Sequence, residues 1–140
     1  MATQVLATYC VLMLVIQWLT LYDAVNLIYI VVLVAALGDG LAEPVGVRFG
    51  KHEYSTSALF TSEKYVRTIE GSLCVFISAV LAIALMNESL NGVQIVLSLL
   101  LIPIAMTLAE AWSPHTCDGP FLYLVGGGSI VAVLELSAWF

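Results

Sequence analysis

Ala24-Val25-Asn26-Leu27-Ile28-Tyr29-Ile30-Val31-Val32-Leu33-Val34-Ala35-Ala36-Leu37 carries no charge and runs straight into Gly38-Asp39-Gly40-Leu41-Ala42-Glu43. Four further stretches are apolar: Val5–Leu21, Leu73–Met86, Val93–Ala109 and Phe121–Phe140, the last with a single charge at Glu135. Of the 140 residues 61% are hydrophobic and only 10% charged, and mean hydropathy is +1.04. A water-soluble domain of this size cannot hide that much apolar surface, so the solvent is lipid. Several stretches fall short of the roughly 20 residues that span a hydrocarbon layer, but neutral flanking residues extend each of them. Backbone polar groups in lipid must be satisfied within the segment, which requires helices. The expected fold is all-α: a polytopic helical bundle of about five transmembrane helices with one long cytosolic loop, forming a single membrane domain over residues 1–140.

The loop is where the polar residues gather. All four basic residues (Arg48, Lys51, Lys64 and Arg67) lie between the second and third apolar stretches. Basic residues in short loops mark the cytoplasmic face, so the 48–67 loop is expected in the cytosol or an equivalent stromal space. Alternating the spans places Asp23 and Glu88 outside and returns Ala111–Pro120, with Glu110, His115 and Asp118, to the side of the first loop. Met1–Gln4 lacks a basic n-region and reads as the start of a retained span.

The other signals exclude more than they assign. A net charge of −6 is no nucleic-acid signature. Cys10, Cys74 and Cys117 are scattered, without the spacing of a zinc site or disulfide framework. Gly38-x-Gly40-x-x-Glu43 lacks the third glycine of a dinucleotide fingerprint, and Gly50-Lys51-His52 lacks the remainder of a P-loop. His52 and His115 are single and distant. Pro103 should kink the fourth apolar helix, and Gly126-Gly127-Gly128 should let a neighbouring helix approach. Glu135, inside the last stretch, is either a functional candidate, as an ionisable group within a span is by default, or a residue near the outer end of the span that simply reaches the interface.

Two halves of the loop invite chemistry. Asp39 follows Asp23 by sixteen residues, roughly 24 Å of helix, so it should sit at headgroup level. If the helix continues to a break before Pro44, Asp39 and Glu43 stand at i and i+4 on one face, a donor pair that suits Mg²⁺ with waters and a substrate phosphate. The competing reading is that Asp39 and its glycines merely cap a helix. On the other side, Thr68 is the expected N-cap of the third helix. Gly71 and Ser72 open that helix, whose unpaired N–H groups attract phosphate. Arg67 and Lys64 could clamp its oxygens, or simply anchor the chain at the interface.

Gly38-Asp39-Gly40-Leu41-Ala42-Glu43-Pro44-Val45-Gly46-Val47-Arg48-Phe49-Gly50, with Arg67-Thr68-Ile69-Glu70-Gly71-Ser72, resembles the CTP-dependent lipid-alcohol kinases, the group of phytol kinase, dolichol kinase and the fungal diacylglycerol kinase. The likeness covers roughly residues 30 to 80. A weaker echo follows at Glu110 and at Asp118-Gly119, where the family tends to have a Glu and later an Asp-Asn. Members are often labelled phosphatidate cytidylyltransferases, but the Lys-Asp-x-Gly and His-Gly-Gly-x-x-Asp-Arg patterns of that enzyme are missing here.

The resemblance implies transfer of a phosphoryl group from CTP, or another nucleoside triphosphate, to the hydroxyl of an isoprenoid or other lipid alcohol, with Mg²⁺. Asp39 and Glu43 would be catalytic or metal-binding, joined at the metal by Glu70. Gly38, Gly40, Arg48, Lys64, Arg67, Thr68, Glu70, Gly71 and Ser72 would bind the nucleotide, with Glu110 and Asp118 in secondary roles. The implied partners are the bilayer, the lipid alcohol and the nucleotide, with no nucleic acid. The family usually has more spans ahead of the Gly-Asp-Gly segment. The chain therefore reads as a minimal or N-terminally shortened member, as one completed by a homo-oligomer or larger membrane complex, or as a degenerate copy. The rival reading is a non-catalytic small membrane subunit that keeps a kinase-like fold, and a weaker third is a lipid transporter fragment.

Overall fold

The computed structural model describes residues 2–57, 64–113 and 118–140; the side chains of Asp39, Lys64 and Asp118 lie outside that description, as do residues His115 and Cys117 entirely. Six α-helices and one hairpin follow in order: α1 (Ala2–Leu21), α2 (Ile28–Leu33), α3 (Gly40–Phe49), β1 (Glu53–Ser57), β2 (Lys64–Thr68), α4 (Ile69–Leu85), α5 (Gly92–Trp112) and α6 (Asp118–Ser137). Among the described residues, four helical stretches are long and apolar enough to cross a membrane: Thr3–Leu21, Val25–Phe49, Gly92–Trp112 and Gly119–Ser137. The fifth apolar helix, Ile69–Leu85, is shorter. The protein is thus a largely helical bundle of membrane character.

The stretch Val25–Phe49 is helical throughout but not uniform. A 3₁₀ turn at Val25–Leu27 leads into α2, a π-helical segment at Val34–Asp39 follows, and α3 continues past Pro44 to Phe49. The expected break before Pro44 is therefore corrected. The π segment widens the hydrogen-bond ladder immediately before the proline, where a missing N–H is easiest to accommodate. Its α2 half occupies the middle of the bundle, with Ile30, Val31 and Val34 buried against α4 and α6. The α3 half packs chiefly on α4, leaving Leu41, Val47 and Phe49 exposed.

The remaining helices pack in a row, α1 on α6, α6 on α5 and α5 on α4. Glycine makes two of these approaches possible. A Cβ on Gly126 would stand 3.0 Å from Met106 of α5, and also 2.7 Å from Val31 of α2, and one on Gly127 would stand 2.5 Å from Val15 of α1. The third glycine of that run, Gly128, meets nothing within 4 Å. Helix α5 runs without interruption through Pro103. At the end away from the hairpin, Asp23 turns the chain with a φ of 52°, a left-handed conformation that Asp tolerates, and the Tyr22 hydroxyl bonds the Glu135 carboxylate.

The long loop is corrected too. Much of the segment expected as an ordered or half-ordered loop is α3 or an antiparallel hairpin, in which Tyr54 pairs with Arg67 and Thr56 with Tyr65. The hairpin is a small two-stranded addition to what is otherwise the expected helical bundle. The lipid argument against strands does not reach this segment, because it lies beyond the apolar stretches. Tyr54 and Thr56 face the helices, where the Thr56 hydroxyl donates to the Ala111 carbonyl at 2.8 Å, while Glu53 and Ser55 are exposed. That contact brings the first polar loop and the end of α5 to one end of the bundle.

Candidate functional site

Helix α4 begins where the sequence placed its cap: the Thr68 hydroxyl accepts from the Gly71 N–H at 3.2 Å. Helix α3 crosses this start closely. A Cβ on Gly71 would lie 2.8 Å from the Ala42 carbonyl oxygen, and one on Gly46 would lie 2.5 Å from Thr68 Oγ1. One turn deeper, a Cβ on Gly38 would lie 3.2 Å from the Cα of Val75. These three glycines are thus accounted for by helix–helix contact. Gly40 differs, since a Cβ there would meet nothing within 4 Å.

Between α3, the hairpin and the start of α4 lies an open cleft of about 640 Å³. Its walls include Gly40, Glu43, Arg67, Thr68, Gly71 and Glu110, residues singled out in the sequence, together with Gly50, Glu53 and Val66. Glu43 is exposed on the α3 wall.

At the base of the cleft Arg67 is 13% exposed and Glu110 4%, and the two form an ion pair. A second guanidinium nitrogen donates to the Ser113 carbonyl at 3.2 Å. Ser72 donates to the other Glu110 oxygen at 3.2 Å and stands 2.6 Å from the Tyr54 hydroxyl. A carboxylate only accepts, so the Ser72 proton goes to Glu110 and the Tyr54 hydroxyl donates to Ser72. The chain Tyr54–Ser72–Glu110–Arg67 therefore ties the hairpin to α4 and α5.

The expected phosphate cradle at Glu70–Ser72 is narrowed by these contacts. Ser72 is turned inward toward Glu110, and the Ile69 N–H donates to the His52 carbonyl at 3.0 Å. Glu70 accepts from His52 Nδ1 at 3.0 Å and from the Lys51 N–H at 3.1 Å. Those bonds, the one from His52 foremost, pull its carboxyl down to about 2. Glu70 is thus the protein's own anion at this helix start, ahead of the apolar stretch that begins at Leu73, and only Thr68 and Gly71 of the expected cradle line the cleft. Among the described residues no three His, Cys, Asp or Glu side chains gather as a metal-ligating group. Arg48 lies over the Phe49 ring, 5.7 Å from its centroid, rather than in the cleft wall.

Sequence reasoning missed Tyr54, Ser72 as an inward bridge, and the His52–Glu70 pair. The signal was the run of Tyr, Thr and Val at alternate or neighbouring positions in Glu53–Ser57 and Lys64–Thr68, a strand pattern. No protein-family model, no curated protein and no solved structure matches this chain.

Proposed function

We propose that the cleft binds a nucleoside triphosphate and transfers its terminal phosphoryl group to the hydroxyl of a membrane lipid alcohol. The observation that supports this best is the convergence of Gly40, Glu43, Arg67, Thr68 and Gly71 on one cleft at the polar end of an apolar bundle. Two short segments, read separately from the sequence, supply its opposite walls.

In this reading Arg67, held in place by Glu110, presents positive charge at the base of the cleft to the developing charge of the phosphoryl group. The acceptor oxygen forms its bond to the γ-phosphorus as the bond from that phosphorus to the bridging oxygen breaks, and the nucleoside diphosphate leaves. The hydroxyl proton passes to a carboxylate, for which Glu43 and Asp39 are the candidates. Glu43 is also the described carboxylate that could hold Mg²⁺, which when bound offsets triphosphate charge. The work of the protein is positioning rather than covalent chemistry.

A second reading has its own support. Arg67 is engaged by Glu110, and Gly38, Gly46 and Gly71 all serve helix packing. A non-catalytic subunit would need no more than that. Purified protein in detergent, offered labelled CTP or ATP with Mg²⁺ and a panel of lipid alcohols, separates the two. Labelled lipid phosphate is expected; absence of both transfer and nucleotide binding at millimolar concentration would sink the kinase reading.

A further inference from the structure

We infer that the cleft has two ends of opposite character, and that its Gly40 end is a lateral mouth through which the acceptor's apolar chain enters from the bilayer. This rests on the lipid-alcohol reading above and specifies its geometry.

Gly40, Glu43, Val47 and Gly50 fall three or four residues apart, so they form a stripe along α3 that lines the cleft. The stripe spans ten helical residues, about 15 Å. Its depth is fixed by the packing of α3 on α4. Gly38 abuts Val75, Ala42 abuts Gly71 and Gly50 abuts Thr68. Gly40 therefore stands level with Leu73, where the apolar stretch of α4 starts, whereas Gly50 stands level with the cap and the polar hairpin. The neighbour of Gly40, Leu41, is an exposed apolar residue.

Glycine inside a helix is unfavourable relative to alanine, and Gly40 has neither a positive φ nor a packing contact to explain it. Bare backbone on the cleft wall at the hydrocarbon boundary leaves room for a chain to pass. Glu43 lies one turn above, where the hydroxyl at the end of that chain would come to rest. The opposite end, at Gly50 and Glu53, opens toward water and suits the nucleotide. Gly40, which the sequence assigned to the nucleotide, thus belongs to the acceptor side. The occupant that fits is an amphiphile with one apolar chain and a hydroxyl head.

Two measurements in proteoliposomes test this. In the first, Gly40→Leu is compared with wild type for transfer from labelled nucleotide to dodecan-1-ol and to butan-1-ol. Transfer to the long alcohol should fall at least ten times more than transfer to the short one; equal losses would overturn the mouth while leaving the kinase reading intact. In the second, which needs no turnover, Gly40→Cys and Glu53→Cys are made in a background lacking the native cysteines. The thiol at 40 should react with a bilayer-dissolved alkyl maleimide and be protected by dodecan-1-ol, while that at 53 reacts with a sulfonated, water-soluble maleimide without protection. Labelling of position 40 by the water-soluble reagent alone, or no protection there by dodecan-1-ol, overturns the inference. Protection without transfer to any alcohol would retain the mouth and discard the kinase.

Discussion

Arg67 and Glu110, forty-three positions apart, meet as a largely buried ion pair that joins the hairpin to the end of α5. Removing one partner leaves the other charge buried and uncompensated, which costs about 3–5 kcal/mol, whereas replacing both by apolar residues of similar size is far milder. Glu110→Leu alone should therefore lower the thermal unfolding midpoint in detergent sharply. The double variant Arg67→Met with Glu110→Leu should recover much of that loss. A double variant no better than the sum of the singles would show that the two side chains act independently.

Gly71 at the start of α4 and Gly40 at the start of α3 should respond in opposite directions. Gly71→Ala drives a methyl group to 2.8 Å from the Ala42 carbonyl oxygen, a backbone atom that cannot step aside. A loss of about 1–3 kcal/mol is expected. Gly40→Ala meets no such neighbour and should hold or raise stability by up to about 1 kcal/mol through helix propensity. Unfolding midpoints of both variants check the pair, and an equal loss in each would contradict the packing described.

The membrane character and the cap of α4 were legible because each depends on local sequence. An uncharged run such as Ala24–Leu37 has one solvent that suits it, and Thr68 three residues before Gly71 is a cap by its chemistry. The hairpin was missed because polarity between Val45 and Tyr65 was read as loop, although Tyr54, Thr56 and Val66 fit a strand. Continuation through Pro44 was not legible, since it depends on the π segment before it, which no residue type announces. The cleft was half visible. Glu43, Arg67, Thr68 and Gly71 were named, but the engagement of Glu70 by His52 and of Arg67 by Glu110 arises from tertiary contacts that spacing does not encode.

Acid should loosen the start of α4. Glu70 holds its proton more weakly when folded, at about 2 against 4.5 for the free side chain. A depressed carboxyl stabilises fully above the unfolded value and loses that contribution as pH falls through the folded one. The His52–Glu70 link and the Lys51 amide bond should thus weaken between about pH 4.5 and about 2. Hydrogen exchange at the Lys51 amide reports the change, and Glu70→Gln should remove its pH dependence. Identical profiles for wild type and variant would discount the pairing.

The two polar ends of the bundle should be accessible from opposite sides of a membrane. Ser55 is exposed on the hairpin and Glu88 is exposed in the turn between α4 and α5. Single cysteines at these positions, in sealed vesicles with a membrane-impermeant maleimide, should label from different faces, with Ser55 on the side of the cationic loop. Labelling of both from one face would break the arrangement of α4 as a crossing helix.

Asp39 carries the sharpest demand of the catalytic reading. It closes the π segment directly before Gly40, four residues from Glu43 in the chain. If its carboxylate binds metal or takes the hydroxyl proton, Asp39→Asn removes the charge while keeping nearly the same shape. Phosphoryl transfer should fall by about a hundredfold or more, the usual cost of losing a group that acts on the transition state. The unfolding midpoint and helical circular dichroism should hardly move, because Asn is nearly isosteric with Asp and the helix runs on without a break into Gly40. A helix-capping role alone predicts the reverse, with turnover preserved. Retention of more than about a tenth of wild-type turnover, well above what such a loss permits, would assign Asp39 to structure and leave Glu43 as the acid on which the reaction depends.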